Sequence, residues 1–134
     1  MTTEIVYKGS LHCNATHVKS KTLISTDAPV DNMGKGEAFS PSDLLAVALG
    51  TCIITTIAIK TKDWESSFEG TRLEVIKTMN QDPRMVAQLE VAIYFPASLH
   101  LEDKQRIILE RVAHTCPVAK SLHPDVKQII SFHW

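Results

Sequence analysis

Ser40-Pro41-Ser42-Asp43-Leu44-Leu45-Ala46-Val47-Ala48-Leu49-Gly50-Thr51-Cys52-Ile53-Ile54-Thr55-Thr56-Ile57-Ala58-Ile59 is the stretch on which the fold turns. It opens as a helix. Ser40 can cap, Pro41 suits the first helical position, and Asp43 completes a capping-box-like pattern at the positive end of the helix dipole. The helix is expected to run from Pro41 to about Lys62. Leu44, Leu45, Val47, Leu49, Ile53, Ile54, Ile57 and Ile59 cover several faces, and a helix apolar nearly all round has to be enclosed by protein. A sheet can cover one side. A chain of 134 residues has little left for the other, so a second subunit is expected there.

Upstream, residues 4 to 26 read as three strands. Leu11, Cys13 and Ala15 alternate with His12, Asn14 and Thr16, the period of a half-buried strand, and Gly9-Ser10 suits a tight hairpin turn. Thr22 to Thr26 is the third strand. Asp27 to Phe39 has no apolar period and carries Pro29, Gly34 and Gly36, a loop able to move or to line a site. Downstream, 71–79 and 86–95 form a hairpin around Asn80-Gln81-Asp82-Pro83, with Leu89, Val91, Ile93 and Phe95 on one face. Glu102 to Ala113 is an amphipathic helix with Ile107, Ile108 and Val112 expected to face in. Its Lys and Glu residues make the solvated side. A short helix begins at Pro117, Pro124 breaks the chain, and Val126 to Trp134 is a final strand. No internal repeat or linker interrupts what reads as one domain over 1–134.

A formal net charge of -1 argues against a nucleic-acid or polybasic membrane surface, either of which needs clustered Lys and Arg. Met1-Thr2-Thr3-Glu4 has no basic region followed by an apolar core, so no secretory signal is visible. The apolar run from Leu44 to Ile59 falls short of the roughly 20 residues a bilayer span needs, and Gly50 and three threonines interrupt it. These features indicate a soluble, cytoplasmic protein. In such a compartment three cysteines serve chemistry more readily than cross-linking.

The cysteines occupy different settings. Cys52 lies mid-helix, where the plainest reading is a small buried hydrophobe. Cys116 precedes Pro117, so its sulfur stands where a helix begins. Backbone N–H groups and the dipole lower a thiol pKa there, which makes Cys116 the more acidic of the two on this argument. Its plainer reading is a neutral helix-start residue. Cys13, on a strand's apolar face, is read as core packing. His12, His17, His114, His123 and His133 show no metal-ligand spacing, and no metal site is expected.

Ser40 to Cys52, taken with Ala113-His114-Thr115-Cys116-Pro117-Val118-Ala119-Lys120-Ser121-Leu122, resembles the OsmC/Ohr family of osmotically inducible and organic-hydroperoxide-resistance proteins. The order of elements matches over nearly the whole chain. The resemblance implies an α+β fold in which antiparallel strands surround a long buried Cys-bearing helix, and an intertwined homodimer with two active sites at the interface. It implies a thiol peroxidase that takes an organic hydroperoxide as substrate and an external dithiol as reductant. Cys52 would be the peroxidatic and Cys116 the resolving residue, with no metal, flavin or haem.

The chain departs from that pattern where the family pairs its reactive thiol with an arginine from the N-terminal strands and a glutamate near the start of the Cys helix. No arginine precedes Arg72, and Ser42 stands ten residues before Cys52. Asp43, one position later, resembles a more divergent branch and is the candidate catalytic acid, while also serving as a helix-start residue. Lys19, Lys21 and Arg84 are the candidates for the missing charge, and Glu37 is a further loop carboxylate. His114 is near enough in sequence to tune Cys116. Two other readings stay open: a non-catalytic dimer binding an apolar small molecule, and a redox sensor.

Overall fold

The computed structural model describes residues 1–134, which form two compact units, Met1–Leu45 and Ala46–Trp134. The first unit is a three-stranded antiparallel sheet in the order β1 (Thr3–Gly9), β2 (His12–His17), β3 (Leu23–Asp27). Ser10 and Leu11 make the first turn with positive φ of 50° and 61°, the backbone twist that joins tightly paired strands. Leu11 is therefore a turn residue rather than the start of the expected strand. Cys13, opposite Tyr7 and Thr26, is half-buried rather than part of the fully enclosed core.

The glycine-bearing loop after β3 is pinned. A 3-10 turn over Val30–Asn32 brings the Gly34 N–H to the Pro29 carbonyl at 3.0 Å and the Gly36 N–H to the Ala28 carbonyl at 3.3 Å. A Cβ on Gly34 would meet the Ala28 carbonyl oxygen at 1.6 Å, so no side chain fits there. Asp27 is buried and ties both ends. One carboxylate oxygen is 2.5 Å from His12 Nδ1 and the other accepts the Glu37 N–H at 2.9 Å.

The second unit holds β4 (Arg72–Gln81), β5 (Arg84–Tyr94), α2 (Asp103–Ala113), α3 (Pro117–Ser121) and β6 (Lys127–His133), together with most of α1 (Pro41–Lys60). β4 and β5 form the expected hairpin, with a turn shortened to Asp82-Pro83. β6 then pairs in parallel with β5, from Gln88↔Lys127 to Tyr94↔His133, so this sheet is mixed rather than wholly antiparallel. Parallel pairing needs a crossover, and α2 with α3 supplies it.

The core is built from Leu49, Ile53 and Ile57 of α1, Leu89, Val91 and Ile93 of β5, and Leu109 and Ala113 of α2, all almost fully buried. Each such aliphatic side chain contributes about 1.5–3 kcal/mol relative to exposure. α2 turns a different face inward from the one its isoleucines suggest. Ile107 and Ile108 are 49% and 45% exposed, while Leu109 and Ala113 are enclosed and Arg106 is half-buried, its guanidinium 5.2 Å from the centre of the Trp134 ring. The capping box between Glu102 and Gln105 fixes where the helix begins and hence which residues fall on that face.

α1 ends at Lys60 and buries one face, Ala46, Leu49, Gly50, Ile53 and Ile57, at helical spacing. Gly50 lies against β4, where an added Cβ would stand 3.1 Å from Val75 Cγ2. The opposite arc, Val47, Thr51, Thr55, Ala58 and Ile59, is exposed within the single chain, Ile59 by 67%. At 20 residues α1 is long and apolar enough to cross a bilayer by length and composition, which the interrupted run from Leu44 to Ile59 does not suggest.

Candidate active site

Cys116 and Cys52 come from opposite ends of the second unit, and the fold makes them neighbours. Cys116 caps α3. Its backbone is extended, Pro117 occupies the first helical position, and its sulfur accepts the Ala119 N–H at 3.3 Å. The Lys120 N–H closes the turn on the Cys116 carbonyl at 3.2 Å, and Gln128 of β6 donates its side-chain amide to the Ala119 carbonyl at 3.0 Å, fastening α3 to the last strand.

Cys116 is 0% exposed. Burial pushes its thiol above the ordinary value, the Ala119 and Val118 N–H groups pull it back, and the Cys52 side chain, acting through a hydrogen bond and its charge, raises it again. The helix start therefore does not lower the Cys116 thiol as the sequence suggests, because desolvation outweighs the N–H groups of a five-residue helix. Cys52 is half-buried in the single chain, so it is the more accessible residue of the two. Both are reduced, as is Cys13 in the other unit.

Asp43 stands at the start of the helix that carries Cys52. Nine residues along α1 from Cys52 amounts to about 13 Å of rise and two and a half turns, which puts the two side chains on opposite sides of the helix. Its carboxylate accepts the Ser40 N–H at 2.8 Å while its own N–H donates to Ser40 Oγ at 3.1 Å, the reciprocal cap visible in the sequence. Arg84 stands at the tip of the β4–β5 hairpin, roughly 20 Å along the strand from Val91, the partner of Val75 beside Gly50. Lys19 and Lys21 are exposed in the β2–β3 connection, and the side chain of Glu37 is exposed in its loop. His114 ends α2 in solvent. No group of three or more His, Cys, Asp or Glu residues is placed to hold a metal ion.

Two residues that bear on this unit escape sequence reasoning. Gln128 is one, because only the parallel pairing of β6 brings it to α3. Arg106 is the other, its Nε buried without a hydrogen-bond partner. Its spacing of three from Leu109 and seven from Ala113 is the signal that places it on the inner face.

The family model for OsmC-like protein matches residues 34–131. The chain belongs to the OsmC-like family. A Psychrobacter arcticus 273-4 protein, described as a proposed osmotic stress induced and detoxification response protein, is 49% identical with a TM-score of 0.93, covering 99% of this chain and 96% of its own. The Legionella pneumophila organic hydroperoxide resistance protein OsmC has the same fold at 17% identity and a TM-score of 0.77, over 100% and 98% of the two chains. The Bacillus subtilis organic hydroperoxide resistance protein OhrB does so at 15% identity and a TM-score of 0.65, over 98% of each. A search of curated proteins gave no match. The α+β architecture of this OsmC-like chain is that of the OsmC and Ohr folds.

Proposed function

We propose that this OsmC-like protein is a thiol peroxidase that reduces organic hydroperoxides in the cytoplasm, with Cys52 as the peroxidatic and Cys116 as the resolving residue. The observation that carries this reading is the pair of neighbouring reduced thiols, one reaching solvent and the other wholly enclosed. Family membership and the hydroperoxide-resistance proteins of the same fold support it.

Cys52 thiolate attacks the distal peroxide oxygen, the O–O bond breaks, and the alkoxide leaves as an alcohol after taking up a proton. Cys52 is left as a sulfenic acid. Cys116 thiolate then displaces hydroxide, released as water, and the sulfurs join in a disulfide. This requires Cα atoms within roughly 7 Å of each other. A dithiol restores both thiols by exchange. Apolar, half-buried Ala48 precedes Cys52 by one helical turn, a setting that favours an alkyl hydroperoxide over hydrogen peroxide. Asp43 is assigned to helix capping. The active unit is a homodimer, in which a second copy covers the exposed arc of α1.

Cys52→Ser is expected to abolish turnover of cumene hydroperoxide with a dithiol reductant. Cys116→Ser should still form the sulfenic acid, trapped by dimedone, but no disulfide. Parent-level turnover by the Cys52 variant would remove that residue from the mechanism. Thiols left unchanged by stoichiometric hydroperoxide would instead favour a binding protein for an apolar small molecule.

A further inference from the structure

The two sulfurs differ in what can reach them. Cys52 is half-exposed on α1 in the protomer, whereas Cys116 presents nothing to solvent. The Cys116 sulfur also holds a donor already, the Ala119 N–H, in a turn fixed by Pro117 and fastened by Gln128.

We infer that an external dithiol attacks the oxidised protein at the Cys52 sulfur and expels the Cys116 sulfur, so that the mixed disulfide with the reductant forms on Cys52. The inference deepens the peroxidase reading and rests on it for the origin of the disulfide.

Exchange proceeds by displacement along the S–S axis, and its rate depends on access to the attacked sulfur and on stabilisation of the one that leaves. A nucleophile approaching Cys52 along that axis comes from the side away from Cys116, and Cys52 is the one of the two residues with exposure in the protomer. Attack on Cys116 would instead require entry through the enclosed side of the second unit. The N–H groups of Ala119 and Val118 point at the departing sulfur and offset part of its desolvation as negative charge appears there.

The electrons balance in two steps. A thiolate of the reductant forms a bond to Cys52 Sγ, the Cys52–Cys116 bond breaks, and its electron pair departs on Cys116, which takes up a proton. The second thiol of the reductant, deprotonated, attacks the reductant sulfur of the mixed disulfide. That step closes the reductant's own disulfide and releases Cys52 thiolate. Two electrons and two protons pass from dithiol to protein.

The test begins with the disulfide made by diamide, independently of any peroxide. A short exposure to glutathione, a monothiol that cannot complete the second step, is followed by acid quenching, alkylation of freed thiols and peptide mass spectrometry. The adduct is expected on the Cys52 peptide and the alkyl group on the Cys116 peptide, by at least about tenfold. An equal or reversed distribution overturns the assignment, as does failure of diamide to join the two. As a second measurement, Cys116→Ser and Cys52→Ser, each carrying thionitrobenzoate on the remaining target thiol, are treated with dithiothreitol. Release from Cys52 should be at least about tenfold faster, and equal rates again overturn the assignment. If hydroperoxide leaves the thiols untouched while the diamide product still gives the Cys52 adduct, the peroxidase reading falls and the direction of attack stands.

Discussion

Asp27 shows how much one buried carboxylate can organise. It joins β2 through His12, holds the loop through Glu37, and lies at the end of β3 beside Phe39, whose carbonyl accepts its N–H at 3.1 Å. The hydrogen bond with His12 is the largest cause holding its carboxyl below the ordinary 3.8; the N–H groups of Glu37 and Ala38 add to it and burial opposes them. A carboxylate lowered in the folded state binds protons more weakly there than in the unfolded chain. Its contribution is therefore complete above pH 3.8 and is lost as pH falls through the lower folded value. Asp27→Asn should be less stable than the parent at pH 7, with the gap narrowing below pH 3.8, as read by thermal melts across that range. A constant gap at every pH would show that His12 and the loop amides do not act through the charge. Among the thiols, sequence pattern identified Cys52 and Cys116 as the pair to watch, but the helix start does not lower Cys116 as expected. The N–H groups of α3 can be anticipated from Cys116-Pro117. The desolvation that outweighs them cannot, because it depends on how the folded chain encloses Cys116.

At the scale of elements, α1 and the β4–β5 hairpin were legible because local chemistry and global position agree in them. Ser40-Pro41-Ser42-Asp43 caps as written, and Leu89, Val91 and Ile93 alternate onto a buried face. α2 was legible in extent but not in orientation. Its isoleucines are adjacent, only one of several overlapping faces can turn inward, and the one chosen carries Leu109 and Ala113 beside a half-buried arginine. The parallel placement of β6 had no local signal, since a strand's direction depends on how its crossover packs. Gly50 lets α1 pack closely against β4. With Val75 Cγ2 3.1 Å from any added Cβ, Gly50→Leu should force the elements apart and destabilise by about 1–3 kcal/mol in chemical denaturation. A variant as stable as the parent would mean that the groove of about 190 Å³ lined by Val47, Thr51, Ile54 and Leu73 absorbs the added side chain.

For the whole molecule, the deciding feature is the arc of α1 left uncovered. Sequence reasoning asks for protein on every side of this helix, and the single chain supplies it on one. The proposed homodimer resolves the discrepancy. Sedimentation of the parent should give twice the mass of one chain. Val47→Asp, at a position 40% exposed in the protomer, should shift the population to single chains with unchanged circular dichroism. A parent that sediments as one chain at micromolar concentration would remove the dimer from the account and leave the arc to another partner.

The parallel strand at the C-terminal side of the sheet also orders events in time. β4 and β5 close through a two-residue turn, but Gln88 meets Lys127 only after the 38 positions between them have been gathered in. Loop closure of that span is entropically slow, so this pairing belongs late in folding. Gln128 on the same strand anchors the turn that carries Cys116. Until that strand docks, the Cys116 turn lacks its Gln128 anchor, and a newly made chain would pass through an interval in which Cys116 is as open to an oxidant as the other two thiols.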